Sequence, residues 1–508
     1  MQEPPGVPRT IPGTGLDAAG ASVATLSQAL ASGALTSAAL TAFYRDRTRM
    51  LNSELHAVIS LNPEAAAGEA VASDAARAAG AARGPLEGIP VLVKDNIQVA
   101  GMPATAGSPA LLDTESADAF LVTRLREAGA VILGKANLSE WANFRSTSST
   151  SGWSTLGGQT ANPRGPGRNP SGSSSGSAAA VAAGLAPLAV GTETDGSIVC
   201  PSSACGIVGI KPTTGLVSRA GIVPVSLAQD TAGPMAASVA DAAALLSVLA
   251  APDPADPACQ DSDGFSERYD GSPYTVYLDP GALDGARLGV WRAASADAGA
   301  AIVAVLDAAV ARLRGCGATV LDPVELPDQD KIWTPEFIAL LHEFKRDLNR
   351  YLAGLAGDHP ATLAALIAYN ERNAGRVLAR FGQEIFERAQ ARSGDPRDPE
   401  YAAARADATR LARAALDEPL AAGRLDAIVA LTANPAGLTD YVLGDHDVFH
   451  TSSPGAVAGY PSVTVPAGQV AGLPVGLSFI GPAWSEPRLI ALAYAFEQAA
   501  APRGASRG

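Results

Sequence analysis

Cysteine is scarce in this chain: Cys200, Cys205, Cys259 and Cys316 are all that 508 residues contain. Without C-x-x-C spacing, four cysteines exclude a disulfide scaffold and a paired-cysteine zinc site. Cys200 and Cys205 read as small buried hydrophobes, and a Cys259–Cys316 bridge is left open for an exported protein. Histidine is nearly as sparse, at five, and no H-E-x-x-H occurs. Lys and Arg total 37 against 51 acidic residues, a formal net charge of −14. That balance excludes a nucleic-acid partner, because phosphate binding needs clustered basic residues. No run of about 18 apolar residues exists, so no membrane span or membrane partner is expected. The opening MQEPPGVPRTIPGTG has no basic stretch followed by an apolar one, so no signal peptide is read there. Gln2 and the prolines after it read instead as the start of a soluble, exported mature protein, with a cytoplasmic one as the alternative. The oligomeric state is left open.

What the chain does have is apolar residues, 47% of the total, enough for one large core or two to three ordinary ones. Residues 17–50 show helical apolar spacing, with Thr36 or Ser37 as cap and Leu40, Phe43 and Tyr44 on one face. From GIPVLVKDNI (88–97) onward, short β-branched runs alternate with Ala-rich helical patterns: AVILGKAN, LAPLAVGTET and GIVGIKPT. That alternation predicts an α/β sheet built from crossovers. LGVWRA and GATVLDPVEL resemble strands; LDAIVALT and YPSVTVPAG return to the sheet. The spacing of Phe337, Leu340, Leu341, Phe344, Leu348, Tyr351 and Leu352 predicts a packed helix face. The expected organisation is a single domain over 1–508. It has a helical N-terminal layer (1–60), a catalytic core (61–250), a peripheral, mostly helical excursion (251–424) and a return to the sheet (425–508).

Two serine-bearing turns stand out, NPSGSSSGSAAAVAAG (169–184) and GTETDGSIVCPSS (191–203). By composition the first resembles a flexible linker, and a serine at either turn could simply cap a helix. A serine at a tight turn beside glycine can also present its oxygen to a substrate, while successive backbone N–H groups meet a developing oxyanion. Such a serine needs a base. None of His56, His342, His359, His446 and His450 lies in the serine-dense region, and no G-x-S-x-G elbow exists, although a folded Ser-His-Asp triad is left open. The other candidate base is Lys94, at the end of the apolar run GIPVLVK. On the surface it would only extend into water; buried, it would lose solvation and become a neutral amine.

Four passages resemble the amidase signature family: GIPVLVKDNI, GSSSGSAAAVAAG, GTETDGSIVCP with GIVGIKPTTGLVS, and AGYPSVTVPAGQVAGLPVGLSFIG. The resemblance implies that family's fold, a central mixed, twisted β-sheet covered by α-helices on both faces. It also implies a Ser–cis-Ser–Lys triad of Ser197 (nucleophile), Ser173 (bridging serine after a cis Gly172–Ser173 peptide) and Lys94 (base). The backbone N–H groups of Thr194, Asp195, Gly196 and Ser197 would form the oxyanion hole, Ser174 would support the triad by hydrogen bonding, and neither metal nor cofactor would be needed. Glu193, Asp195 and Val199 depart from the common family pattern, and a side chain at 195 narrows the freedom of the oxyanion turn. With NLSEWANFRS, SGWSTLGGQTANP and GPAWSEPRLI, these departures resemble the peptide amidase branch, which implies a C-terminal peptide amide or other small amide as substrate, with water as co-substrate. The alternatives are the glutaminase subunit of a tRNA-dependent amidotransferase and a fatty or aryl amide hydrolase.

Overall fold

The protein is described by a computed structural model, which covers residues 6–260 and 265–500; Gln2 and the first prolines, read above as an exported start, lie outside the described residues. Eleven short segments join one sheet: β1 (Val58–Leu61), β2 (Pro90–Lys94), β3 (Val131–Ala136), β4 (Leu188–Glu193), β5 (Val208–Lys211), β6 (Thr231–Ala236), β7 (Arg287–Val290), β8 (Thr319–Leu321), β9 (Ala427–Leu431), β10 (Ser462–Val470) and β11 (Leu473–Ile480). Their order is β1-β3-β2-β4-β6-β5-β10-β11-β9-β7-β8. The sheet is mixed: β2 runs parallel to both β3 and β4, and β7 to both β8 and β9, while the strands between are antiparallel.

Every residue of β2, β3, β4, β6, β9 and β11 is buried. Alternate residues of a strand point to opposite faces, so burial of all of them means that both faces are covered. This is why these strands read in the sequence as continuous apolar runs. Among the covering elements are α1 (Val23–Ala31) and α2 (Ser37–Leu55), the latter capped by Thr36, whose side chain accepts from Ala39 N–H. Leu40, Phe43 and Tyr44 of α2 are buried as their spacing predicts.

The stretch 251–424 adds more than helices, because β7 and β8 within it extend the sheet edge. Its long helices are α5 (Trp333–Ala353) and α6 (Pro399–Gly423). Leu340, Leu341, Phe344, Leu348 and Leu352 of α5 pack with Val223, Val225 and Phe386 in a cluster of their own. The other side of α5 carries buried acids, Glu336, Glu343 and Asp347, which reach toward the loop before β6. The Cys259–Cys316 bridge is not formed. All four cysteines are free, and the Cys259 thiol donates to the Ala251 carbonyl instead.

Candidate active site

The parallel neighbours β2 and β4 end side by side; Lys94 ends β2, Ser197 lies in the turn leaving β4, and the loop before residue 175 brings Ser173 to Lys94. In open α/β sheets the carboxyl ends of the strands are where ligands bind. Lys94 is the last residue of β2 and is fully buried. Its Nζ lies 2.8 Å from Ser173 Oγ, 2.8 Å from Thr192 Oγ1 and 3.1 Å from the Thr192 carbonyl. No carboxylate forms an ion pair with it among the described residues; Asp230 and Glu193 act on it only at longer range. Burial therefore dominates and brings its pKa down to about 7. A neutral amine in this position donates two protons, to Thr192, and presents its lone pair to the Ser173 hydroxyl.

Ser173 follows a cis Gly172–Ser173 peptide. A Cβ at Gly172 would lie 2.3 Å from Ser139 Oγ and 2.8 Å from Ser151 Oγ, so a side chain there would force these serines to move. The loop is pinned at both ends: Ser139 N–H donates to the Ser173 carbonyl (3.0 Å), and Ser174 N–H donates to the Ser197 carbonyl (3.1 Å). Ser174 touches none of the three predicted side chains. Its hydroxyl donates to the Thr192 carbonyl (2.9 Å) and accepts from Thr192 N–H (3.2 Å), so it acts on Lys94 through Thr192. The run then enters α3 (Ser175–Ala182), whose residues up to Val181 are all buried. A linker would leave them in water; this segment is packed.

The second turn leaves β4 at Glu193 and leads into α4 (Val199–Cys205). Glu193 Oε2 accepts from the N–H groups of Ile198 (2.8 Å) and Val199 (3.1 Å) and thereby holds the start of α4. The positive φ of the turn falls on Gly196, at 79°, and not on Asp195. A side chain at 195 therefore costs the turn nothing, and Asp195 Oδ2 instead accepts from Ser453 Oγ at 2.6 Å. Among the described residues, the N–H groups of Asp195, Gly196 and Ser197 donate to no protein acceptor. Three free donors in sequence beside a serine form a nest for an anionic oxygen. Thr194 sits behind them: its hydroxyl donates to Asp230 (2.5 Å) and its carbonyl accepts from Gln229 (3.0 Å).

Asp195, Gly196 and Ser197 line a cavity of about 170 Å³, together with Asn143, Ser171 and Gly172 on one side and residues 433–452 on the other. That volume admits the end of a chain and not a folded domain. The Ser197 hydroxyl hydrogen-bonds to no other protein group among the described residues. His446 and His450 also line the cavity; His446 is bonded to Asp440 (2.9 Å) and His450 to Ser452 (3.0 Å), but neither hydrogen-bonds to the Ser197 hydroxyl, so no Ser-His-Asp triad is formed among the described residues. Burial pushes the Cys200 thiol well above its usual range, which leaves it inert beside the serine. Among the described residues no Lys or Arg lines the cavity, whereas Asp195, Asp445 and Asp447 do. The described residues offer one possible metal-ligand group, His342, Asp398 and Glu400, but it lies outside this cavity and Glu400 is already held by Arg392 at 2.7 Å.

Sequence reasoning missed Thr192, Asn96 and Asp230. Thr192 holds the Lys94 amine, and Asn96 Nδ2 donates to Thr192 Oγ1 at 2.9 Å. Asp230 accepts from the N–H groups of Val225 and Ser226 as well as from Thr194, and burial raises its pKa to about 6. Asn96 and Thr192 lie inside motifs that were singled out, GIPVLVKDNI and GTETDGSIVCPSS, but nothing local marks either, and only the pairing of β2 with β4 brings them together.

Known proteins resemble this chain over most of its length. The amidase family model matches residues 39–490. A crystal structure of native peptide amidase from Stenotrophomonas maltophilia is 50% identical, superposes with a TM-score of 0.89, and covers 94% of this chain and 96% of its own. A protein of Arabidopsis thaliana named as an amidase is 41% identical over 90% of this chain and 85% of its own length. A glutamyl-tRNA(Gln) amidotransferase component from Natronomonas pharaonis is 35% identical over 80% of this chain and 94% of its own. With a match across most of its length and these relatives, the chain belongs to the amidase signature family.

Proposed function

We propose that this amidase releases ammonia from the C-terminal carboxamide of peptides, with Ser197 as nucleophile, Ser173 as proton relay and Lys94 as base. The observation that carries the proposal is the environment of Lys94: fully buried, faced by two hydroxyls and a carbonyl, and without a bound carboxylate. As Ser197 Oγ attacks the amide carbon, its proton passes to Ser173 and the Ser173 proton passes to Lys94. The carbonyl oxygen becomes an oxyanion held by the N–H groups of Asp195, Gly196 and Ser197. Lys94 then returns its proton through Ser173 to the amide nitrogen, the C–N bond breaks and ammonia leaves. Water, deprotonated by the same relay, hydrolyses the acyl-enzyme and restores Ser197.

The cavity supports a peptide amide over free glutamine. Glutamine brings both an α-ammonium and an α-carboxylate within a few bonds of its amide; the three aspartates of the lining suit the ammonium, but among the described residues no lining Lys or Arg pairs with the carboxylate. A peptide amide is neutral at the same place. The 50% identity to a protein titled peptide amidase favours the same reading over the amidotransferase relative, which is 35% identical. The test is ammonia release from one peptide amide, free glutamine, an aryl amide and a fatty amide under identical conditions. Turnover of the peptide amide should exceed the others by about tenfold or more, the scale set by leaving buried polar groups unpaired. Equal or faster release from glutamine would overturn the substrate assignment. Mapping a serine-acylating inhibitor to any residue but Ser197 would overturn the nucleophile.

A further inference from the structure

The turn beside Ser197 is held from behind by a buried amide that no signature motif contains. Gln229 precedes β6 and is 1% exposed. Its Nε2 donates to the Thr194 carbonyl (3.0 Å) and to Glu336 Oε1 on α5 (2.7 Å), while its Oε1 accepts from Arg405 on α6 (3.0 Å). The orientation of this amide is fixed by its neighbours: a guanidinium has only donors, and the other two partners accept. Arg405 is itself fixed by Glu343 of α5, at 2.8 and 2.5 Å. Next to Gln229, Asp230 takes the Thr194 hydroxyl. Consecutive residues thus hold Thr194 by its carbonyl and by its side chain.

A trans peptide is planar, with its C=O and N–H pointing opposite ways. Drawing the Thr194 carbonyl toward Gln229 therefore turns the Asp195 N–H to the other side. Asp195, Gly196 and Ser197 line the cavity and Thr194 does not, so that other side is where an oxyanion would form. We infer that Gln229 is a positioning residue, which sets the 194–195 peptide so that the Asp195 N–H serves the oxyanion, and through which the α5–α6 layer supports catalysis. The inference rests on the proposed role of the 194–197 turn.

The test separates oxyanion binding from ground-state binding. A peptide aldehyde adds Ser197 Oγ to its carbonyl carbon: the C–O bond forms, the C=O π pair becomes the oxyanion, and the serine proton passes through Ser173 to Lys94. The corresponding peptide alcohol fills the same space with no carbonyl to attack. Gln229→Met removes both donors, and Gln229→Glu keeps the volume and the Arg405 contact while losing them. Both variants should weaken aldehyde binding about tenfold or more, hold alcohol binding within about twofold, and lower kcat with little change in KM. A side chain that merely fills space would be replaced by Glu without this split. If aldehyde and alcohol affinities fall together, or if Gln229→Glu keeps wild-type kcat, the inference is wrong and the active-site reading stands. If the wild type binds aldehyde no better than alcohol, the oxyanion turn itself is wrong and the inference falls with it.

Discussion

Two lysines on neighbouring strands, Lys94 ending β2 and Lys135 near the end of β3, start from the same sequence context and come to opposite uses. Both are fully buried. The parallel register sets Val93 beside Lys135 and Lys94 beside Ala136, so the two side chains leave opposite faces of the sheet. On its face Lys135 meets Asp95 at 3.2 Å and the carbonyls of Ile97 and Pro103 at 2.6 and 3.3 Å. On the other face Lys94 meets only hydroxyls and a carbonyl. Burial lowers both pKa values, but Asp95 opposes the shift at Lys135 directly, whereas Asp230 and Glu193 oppose it at Lys94 from further away. Burial alone does not suit a lysine to act as a base; the proposed role of Lys94 needs burial without a bound counter-charge.

The largest expected effects follow from Lys94 and the serine it serves. Ser197→Ala should cut turnover by about 10⁴-fold or more, and Lys94→Arg by about 10³-fold or more, since Arg does not deprotonate in a protein. Steady-state kinetics on a peptide amide measure both. If Lys94→Arg retained wild-type turnover, Lys94 would be a structural cation like Lys135 and the contrast would collapse.

Stability should show the reverse order. Lys135→Met leaves Asp95 as a buried charge without its partner, at a cost of about 3–5 kcal/mol. Lys94→Met leaves neutral groups unpaired, about 1–3 kcal/mol. Urea unfolding of the two variants reads the difference directly, and an equal loss would mean that Lys94 is charged in the folded protein.

The pH profile sharpens the same point. The base must be neutral, and Lys94 is neutral above its pKa of about 7. The rate constant kcat/KM should therefore fall about tenfold per pH unit below that value and level off above it. Asp230→Asn removes a negative charge that favours the protonated amine, so it should move this limb to lower pH. A limb that moved up would invert the electrostatic account. The smallest expected effect is none at all: dialysis against EDTA should leave turnover within error, because Lys94 and the backbone donors supply the base and the electrophile. Loss of activity restored by one metal ion would show that a further component is required.

Much of the sheet was legible because its central strands are buried on both faces and read as unbroken apolar runs. Three strands were not. β1, at Val58–Leu61, falls at the end of the stretch read as a helical layer. β6 contains Gly233 and Pro234, residues that argue against a strand in a sheet interior, yet Pro234 pairs with Val190 inside it. β11 contains Pro474 and Gly476 and lies so soon after β10 that the two read as one passage. Lys94, Ser173 and Ser197 were identifiable by resemblance, because each sits in a short motif. Thr192 lies inside one of those motifs without standing out, and Gln229 lies outside them all. A threonine within a strand and a glutamine in a loop are common, and only their partners distinguish them.

By itself the sequence determined the fold class, the family and the serine turns, since each rests on local pattern: apolar runs, small residues where a Cβ would collide, and short motifs in order. Whether Lys94 is buried without a bound counter-charge, whether Asp195 strains its turn and what holds Thr194 were decided only by the tertiary structure. Each depends on groups far apart in the chain. Lys94 and Thr192 are separated by 98 positions and Gln229 and Arg405 by 176, and a proton's affinity for a buried amine is set by the atoms within a few ångströms of it, wherever in the chain they originate.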